Sequence, residues 1–404
     1  MKNRLLEIKR ISIVSILELS IILGGIFVSC GGSSGRPSKK DQVLASTNTI
    51  PTPASEKIYN IWIENSGSMK GYFHPNLNSF KSARTILKNL YDRIDERIDK
   101  QDTITLNYIN TKIVSYPKGI EDYLNETYNK CVASHTNIDD ILRMAIEGAK
   151  NSCVNLVISD YILSSDNGNF SMAQSDITNL ITKCLRENEN LTVAILKYEA
   201  EFKGKYYPSV GSGIQCDEDR PLYVWAFGDI QTIKEFIELP NLRYEHIAVL
   251  QPHSNVIVEI QSNNARMTRK RTPGVVVVKE WKKNRINDDY SLKFTFSTQN
   301  IALDKLSIID KNSYSLTSGY YINDINNVGK DIYEMIVTTT KPSPGKLRIS
   351  IPCVIPYWIQ DSNFEGQQIP PIGKTEGFRY LVGGVYDAYN NKFEDIISLN
   401  INLE

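Results

Sequence analysis

Between Lys57 and Glu238 the chain alternates short β-rich runs with segments whose apolar residues recur at helical spacing. Lys57–Ile63, Val154–Ser159, Leu191–Tyr198 and Leu222–Phe227 read as strands, the last three as near-continuous apolar runs of the kind buried on both faces. Phe80–Ile98, Ile120–Cys131, Ile138–Ala149, Ile177–Leu185 and Ile230–Glu238 read as helices. Thr103–Tyr116 predicts two strands joined by a tight Asn-Thr-Lys turn. Strands alternating with helices imply an α/β unit over 56–250, with a doubly wound, mostly parallel sheet covered by helices on both faces. Tyr198–Arg220 interrupts the rhythm. Its alternating start and Gly/Pro-rich centre suggest a hairpin or projecting loop in place of a crossover helix, and a surface for partner contact.

From about Gln251 onward the helical periodicity is lost. Ser254–Ser262, Gly274–Trp281, Ser291–Ser297, Leu306–Ile309, Ile332–Thr340, Lys346–Cys353, Phe378–Tyr389 and Ile396–Ile401 read as strands between Pro, Gly, Asn and Asp turns. This predicts an all-β, sandwich-like domain over 251–404. A basic cluster, Arg266, Arg269, Lys270 and Arg271, reads as a solvated loop, and Tyr357, Trp358, Phe364 and Tyr380 read as core or as the lining of a groove.

The amino terminus follows another logic. Lys2, Arg4, Lys9 and Arg10 precede an apolar run from Ile11 to Val28 that carries Glu18, and the run ends in Phe27-Val28-Ser29-Cys30-Gly31-Gly32. A basic start, an apolar stretch and small residues around a cysteine resemble a bacterial lipoprotein signal. That resemblance implies cleavage after residue 29, lipidation of Cys30 and attachment to the cell envelope. Residues 30–55, rich in Gly, Ser, Thr and Pro, are expected to be a flexible tether. The 46 basic and 46 acidic side chains balance, which argues against a nucleic-acid binder that works by bulk phosphate neutralisation. Beyond Cys30, cysteines 131, 153, 184, 216 and 353 form no C-x-x-C pair, so neither a zinc site nor a disulfide framework is expected.

In open α/β sheets, ligands gather at the carboxyl ends of the strands. The first strand is followed by Glu64-Asn65-Ser66-Gly67-Ser68-Met69, the helix at 138 is preceded by Ser134-His135-Thr136-Asn137, and the strand at 154–159 is followed by Asp160. Glu64, Ser66, Ser68, Thr136 and Asp160 are thereby expected on one edge, an all-oxygen set suited to a hard cation such as Mg²⁺ or Ca²⁺. The set resembles the metal-ion-dependent adhesion site of von Willebrand factor type A domains, Asp-x-Ser-x-Ser followed by Thr and then Asp. Ser66 and Ser68 match the two serines, Thr136 the threonine and Asp160 the late aspartate. The resemblance covers about half the chain, residues 56–250. It implies that the hydroxyls hold a divalent cation, that the carboxylates act largely through water, and that a carboxylate of a protein partner completes the shell. Glu64 departs from the pattern, standing where an aspartate is usual. Gly71 and Pro75 postpone the next helix to a cap at Ser79, and the insert places Tyr72, Phe73 and His74 beside the site as a partner-contact surface.

Two other readings use the same residues. In one, the chain is an envelope hydrolase with Ser66 or Ser68 as nucleophile, His74 or His135 as base and Asp160 as orienting acid, although Gly-x-Ser-x-Gly is absent. In the other, the serines and Thr136 only cap turns and helix starts, and the chain is a structural lipoprotein whose site has lost its metal. No small-molecule substrate is indicated, and the expected partners are a protein and, through the lipid, a membrane.

Overall fold

The computed structural model describes residues 56–403 apart from 150–151, 164–169, 209–211, 257, 261–264, 270–275, 282, 284–288, 304, 367–369 and 391–394. The expected signal, Cys30 and the tether lie outside the described residues, as does part of the basic cluster. In chain order the first elements are β1 (Ile58–Glu64), a 3-10 helix (Ser68–Phe73), α1 (Ala83–Asp95), β2 (Thr103–Ile109), β3 (Ile113–Ser115), α2 (Ile120–Lys130), α3 (Ile138–Gly148) and β4 (Cys153–Ser159). There follow α4 (Phe170–Arg186), β5 (Leu191–Ala200), β6 (Lys203–Tyr206), β7 (Ile214–Asp217), β8 (Arg220–Asp229), α5 (Ile230–Ile237) and β9 (His246–Leu250).

Seven of these strands form a mixed sheet in the order β3-β2-β1-β4-β8-β5-β9. Its parallel core is β2-β1-β4, while β3, β8 and β9 pair antiparallel with their neighbours. The sheet is therefore less parallel than the sequence alone predicts. The cause lies in the 198–220 interruption: a β6–β7 hairpin replaces a crossover helix, so the chain returns in the opposite direction. Side chains alternate across the central strands. Ile61, Ile63, Leu156, Ile158, Val224 and Ala226 enter one core with α1, α2 and α5. Trp62, Val157, Tyr223, Trp225 and Phe227 enter the other, with α3 and α4. Both faces are covered, which explains the unbroken apolar runs.

The remaining elements are β10 (Ser254–Asn255), β11 (Val258–Ile260), β12 (Ala265–Arg269), β13 (Val276–Trp281), β14 (Tyr290–Ser297), α6 (Lys305–Ile309), β15 (Ser315–Leu316), β16 (Tyr321–Gly329), β17 (Ile332–Thr339) and β18 (Gly345–Pro352). Last come α7 (Tyr357–Ser362), β19 (Asn363–Phe364), β20 (Thr375–Glu376), α8 (Phe378–Asn390) and β21 (Asp395–Leu403). One sheet runs β12-β13-β21-β18-β15 with β10 on β21, a second runs β11-β14-β17-β16, and their inward residues share a core.

The all-β expectation for 251–404 is corrected by α6, α7 and α8 among the described residues. Two of them replace expected strands: Leu306–Ile309 lies in α6, and Phe378–Tyr389 lies in α8. Besides Gly384, the buried residues of α8 are Phe378, Leu381, Val382, Val385 and Tyr389, the spacing of one helical face, which the aromatic and β-branched content had masked as a strand. This helix packs on α4. A Cβ on Gly384 would stand 2.8 Å from Ile181 Cβ and 2.9 Å from the Thr178 carbonyl, so only glycine permits the approach. Thr178 and Thr182 donate across the gap to the carbonyls of Tyr380 and Gly384, at 3.0 and 2.9 Å. Ala54–Glu404 forms one compact unit, in which buried residues on both sides of 250 share a core. No helix among the described residues is long and apolar enough to cross a membrane.

Candidate functional site

The ends of β1, β2 and β4 point to one rim of the large sheet, and the start of β8 joins them because that strand runs antiparallel. Four of the five expected side chains are buried there: Glu64, Ser66, Ser68 and Asp160, with Thr136 half-buried. The Thr136 hydroxyl donates to Glu64 Oε1 at 2.6 Å, and the Ser159 hydroxyl donates to Glu64 Oε2. Ser66 also hydrogen-bonds to Glu64, Ser68 hydrogen-bonds to Asp160, and the two serine oxygens lie 2.9 Å apart. The five side chains thus meet as one hydrogen-bonded cluster. The extra methylene of Glu64 is accommodated because its carboxylate bridges the hydroxyls of the 136 loop and of β4.

The loops are fixed by backbone pairing. Gly67 N donates to the Ala133 carbonyl at 2.9 Å and Ala133 N to the Asn65 carbonyl at 3.1 Å. Asn110, just past β2, holds the 135–137 loop from both sides: its Nδ2 donates to the His135 carbonyl and its Oδ1 accepts from Asn137 N. Tyr161 sits at φ +51°, unusual for a bulky residue, and is held there by stacking on Trp225 at 4.8 Å. Ser159, Asn110 and Tyr161 were missed from sequence. Only Ser159, next to Asp160, carried a local hint.

Burial raises the Glu64 carboxyl pKa, against the hydrogen bonds from Ser159, Ser66 and Thr136. Burial, and then the neighbouring Glu64 charge, push Asp160 up to about 7, against the bonds from Ser68 and backbone amides. Among the described residues no lysine or arginine forms an ion pair with either carboxylate. Two adjacent buried carboxyl groups of this kind demand a proton or a cation.

The donor set fits a hard cation. The serine oxygens, 2.9 Å apart in their own hydrogen bond, are close enough to serve as adjacent ligands of such an ion, whose ligands at 2.0–2.1 Å around Mg²⁺ lie about 3 Å apart along an octahedral edge. A hydroxyl that offers a lone pair to a cation must place its proton elsewhere, and Glu64 is the acceptor for Thr136. Among the described residues no group of three or more His, Cys, Asp or Glu is arranged to hold a metal, so a cation here would rest on hydroxyls and these two carboxyls.

Tyr72 and Phe73 do not form the expected contact surface. The 3-10 helix turns both inward, with 2% and 0% exposure, and Tyr72 Oη donates to the Pro221 carbonyl at 2.7 Å. The cause is the β6–β7 hairpin, which closes over this turn and brings Phe202 edge-on to Tyr72 at 5.0 Å. His74 packs against Tyr128, and its Nδ1 accepts from Asn76 N. His135 is exposed. Helix α1 is capped by Ser82, which accepts from Thr85 N, and not by Ser79. A Cβ at Gly71 would fall 2.3 Å from the Phe202 ring. Gly71→Ala is therefore expected to cost about 1–3 kcal/mol by overpacking, read as a lower thermal midpoint. Recovery in Gly71→Ala/Phe202→Leu would assign the loss to this contact, whereas a single variant melting as wild type would refute it.

A distant segment crosses the same rim. Arg220, 1% exposed, donates to the Pro370 carbonyl at 2.6 Å and lies over the Tyr206 ring. Lys197 Nζ donates to Ser362 Oγ and the Gly373 carbonyl, and Tyr223 Oη to Thr375 Oγ1. Ser362, Pro370, Gly373 and Thr375 are thus tied to the end of β5 and the start of β8. Comparison of the chain with protein-family models, curated proteins and solved structures finds no match.

Proposed function

We propose that this rim binds a divalent cation, Mg²⁺ or Ca²⁺, and that the chain engages a protein partner whose carboxylate completes the coordination shell. The reading rests on the resemblance to type A adhesion domains. The observation that carries it is the pair of buried carboxyl groups, without an ion-pair partner among the described residues, beside two serine hydroxyls 2.9 Å apart. Ser66, Ser68 and Thr136 would hold the ion, Asp160 and Glu64 would balance its charge, and Glu64 would also take the Thr136 proton bond. The protein is further proposed to be held at a bacterial envelope through lipid on Cys30, with the rim displayed beyond the tether.

Calorimetric titration of Mg²⁺ into the full-length protein in detergent is the direct test. One saturable site is expected, with heats lost in Asp160→Asn and Ser68→Ala. Equal heats in wild type and Asp160→Asn would end the cation reading and leave a protonated, purely structural latch. Palmitate incorporation is expected to disappear in Cys30→Ser.

A further inference from the structure

We propose a second binding site, for a small organic monoanion with a flat apolar body, between α1 and the connection from α5 to β9. A cavity of 290 Å³ opens there, walled by Phe80, Ile86 and Leu90 on one side and Leu242 and Tyr244 on the other, with Tyr198 of β5 at its base. Phe80 is 77% exposed and Tyr244 38%, so two aromatic side chains flank the cavity with much of their surface uncovered. One end continues into a recess of 370 Å³ lined by Asn89, Arg93, Asn241 and Arg243. These four residues also line the cavity itself, so a ligand's apolar body and anionic head would face different parts of one continuous lining.

The charges favour an anion. Both acidic residues of the wall have cationic partners: Glu199 pairs with Lys81 at 2.9 Å and Glu245 with Lys197 at 3.8 Å. Arg93 is partly engaged by Glu96 at 2.5 Å. Arg243 is exposed and has no ion-pair or hydrogen-bond partner among the described residues, and the exposed carboxamides of Asn89 and Asn241 likewise have none. A guanidinium fork with two amide donors is a natural receptor for a carboxylate. The turn that presents Arg243 is built for its place: Leu242 N closes on the Leu239 carbonyl at 3.3 Å, and Asn241 adopts φ +58°, which asparagine tolerates better than most residues. A cavity of this size admits one or two fused rings. The site shares no residue with the rim cluster and stands or falls independently of the cation.

The probe is 2-naphthoate, titrated into the full-length protein by calorimetry beside its neutral methyl ester. Saturable one-to-one binding of the acid is expected, weakened about tenfold or more in Arg243→Ala and for the ester, and less in Arg243→Lys, which keeps charge but not the fork. Arg243→Ala is expected to melt as wild type, because its side chain is exposed and without partners. Tyr244→Ala should weaken acid and ester alike. Binding indifferent to Arg243→Ala, equal binding of acid and ester, or no saturable binding at millimolar probe would each overturn the proposal.

Discussion

The metal-free protein is expected to lose stability as pH rises from about 4 to about 7, at roughly 1.4 kcal/mol per pH unit for each proton the folded carboxyl pair retains, and Mg²⁺ is expected to reverse that trend. Asp160 titrates near its ordinary value of 3.8 when unfolded and near 7 when folded. Between those values the folded protein retains a proton that the unfolded chain has released. Raising the pH therefore favours unfolding, and the penalty is complete once the folded group ionises. Because Glu64 is also shifted upward, the carboxyl pair titrates as a unit and the slope belongs to the pair. A cation competes with that proton, so Mg²⁺ affinity should climb with pH and level off above about 7. Denaturant melts of wild type and Asp160→Asn, with and without Mg²⁺, isolate the contribution. The variant should be the more stable of the two at neutral pH without metal, with a flatter profile and no response to Mg²⁺. Identical profiles for the two proteins would remove the carboxyl pair from the explanation.

Phe378→Ala is expected to cost about 3–5 kcal/mol, the range for deleting a fully buried aromatic side chain. Phe378 has 0% exposure, stacks on Tyr223 at 4.2 Å and meets Trp225 edge-on at 6.2 Å. Tyr223 and Trp225 lie on a central strand of the large sheet, whereas Phe378 opens α8, about 150 residues later. The substitution should lower the urea midpoint of one shared transition, followed by both near-ultraviolet and far-ultraviolet dichroism. Two resolved transitions, or a loss well under about 1 kcal/mol, would contradict a continuous core.

The rim cluster was legible because its logic is one-dimensional: polar residues that follow buried strands emerge together once the strands pair side by side. Glu64, Ser66, Ser68, Thr136 and Asp160 needed only that rule. Tyr72 and Phe73 did not yield to it, because their burial depends on Phe202, brought back by a hairpin about 130 residues downstream. The direction of β8 lay half-hidden. An apolar run such as Leu222–Phe227 encodes burial and not polarity of direction, and the sign was carried by the missing helix before it. In α8 the glycine pair and the aromatic content outweighed a sound helical period, since a glycine demanded by Ile181 and Thr178 resembles a strand breaker until its neighbour is known. Asn110 gave no local hint, since its role is to hold a loop 25 residues away.

The β6–β7 hairpin enters and leaves the large sheet through two strands that are already neighbours. Insertions or deletions between them would leave every register of that sheet intact. Descendants of such a chain could therefore reshape the ground beside the serine pair by changing this one excursion, and acquire new specificities while inheriting the scaffold unaltered.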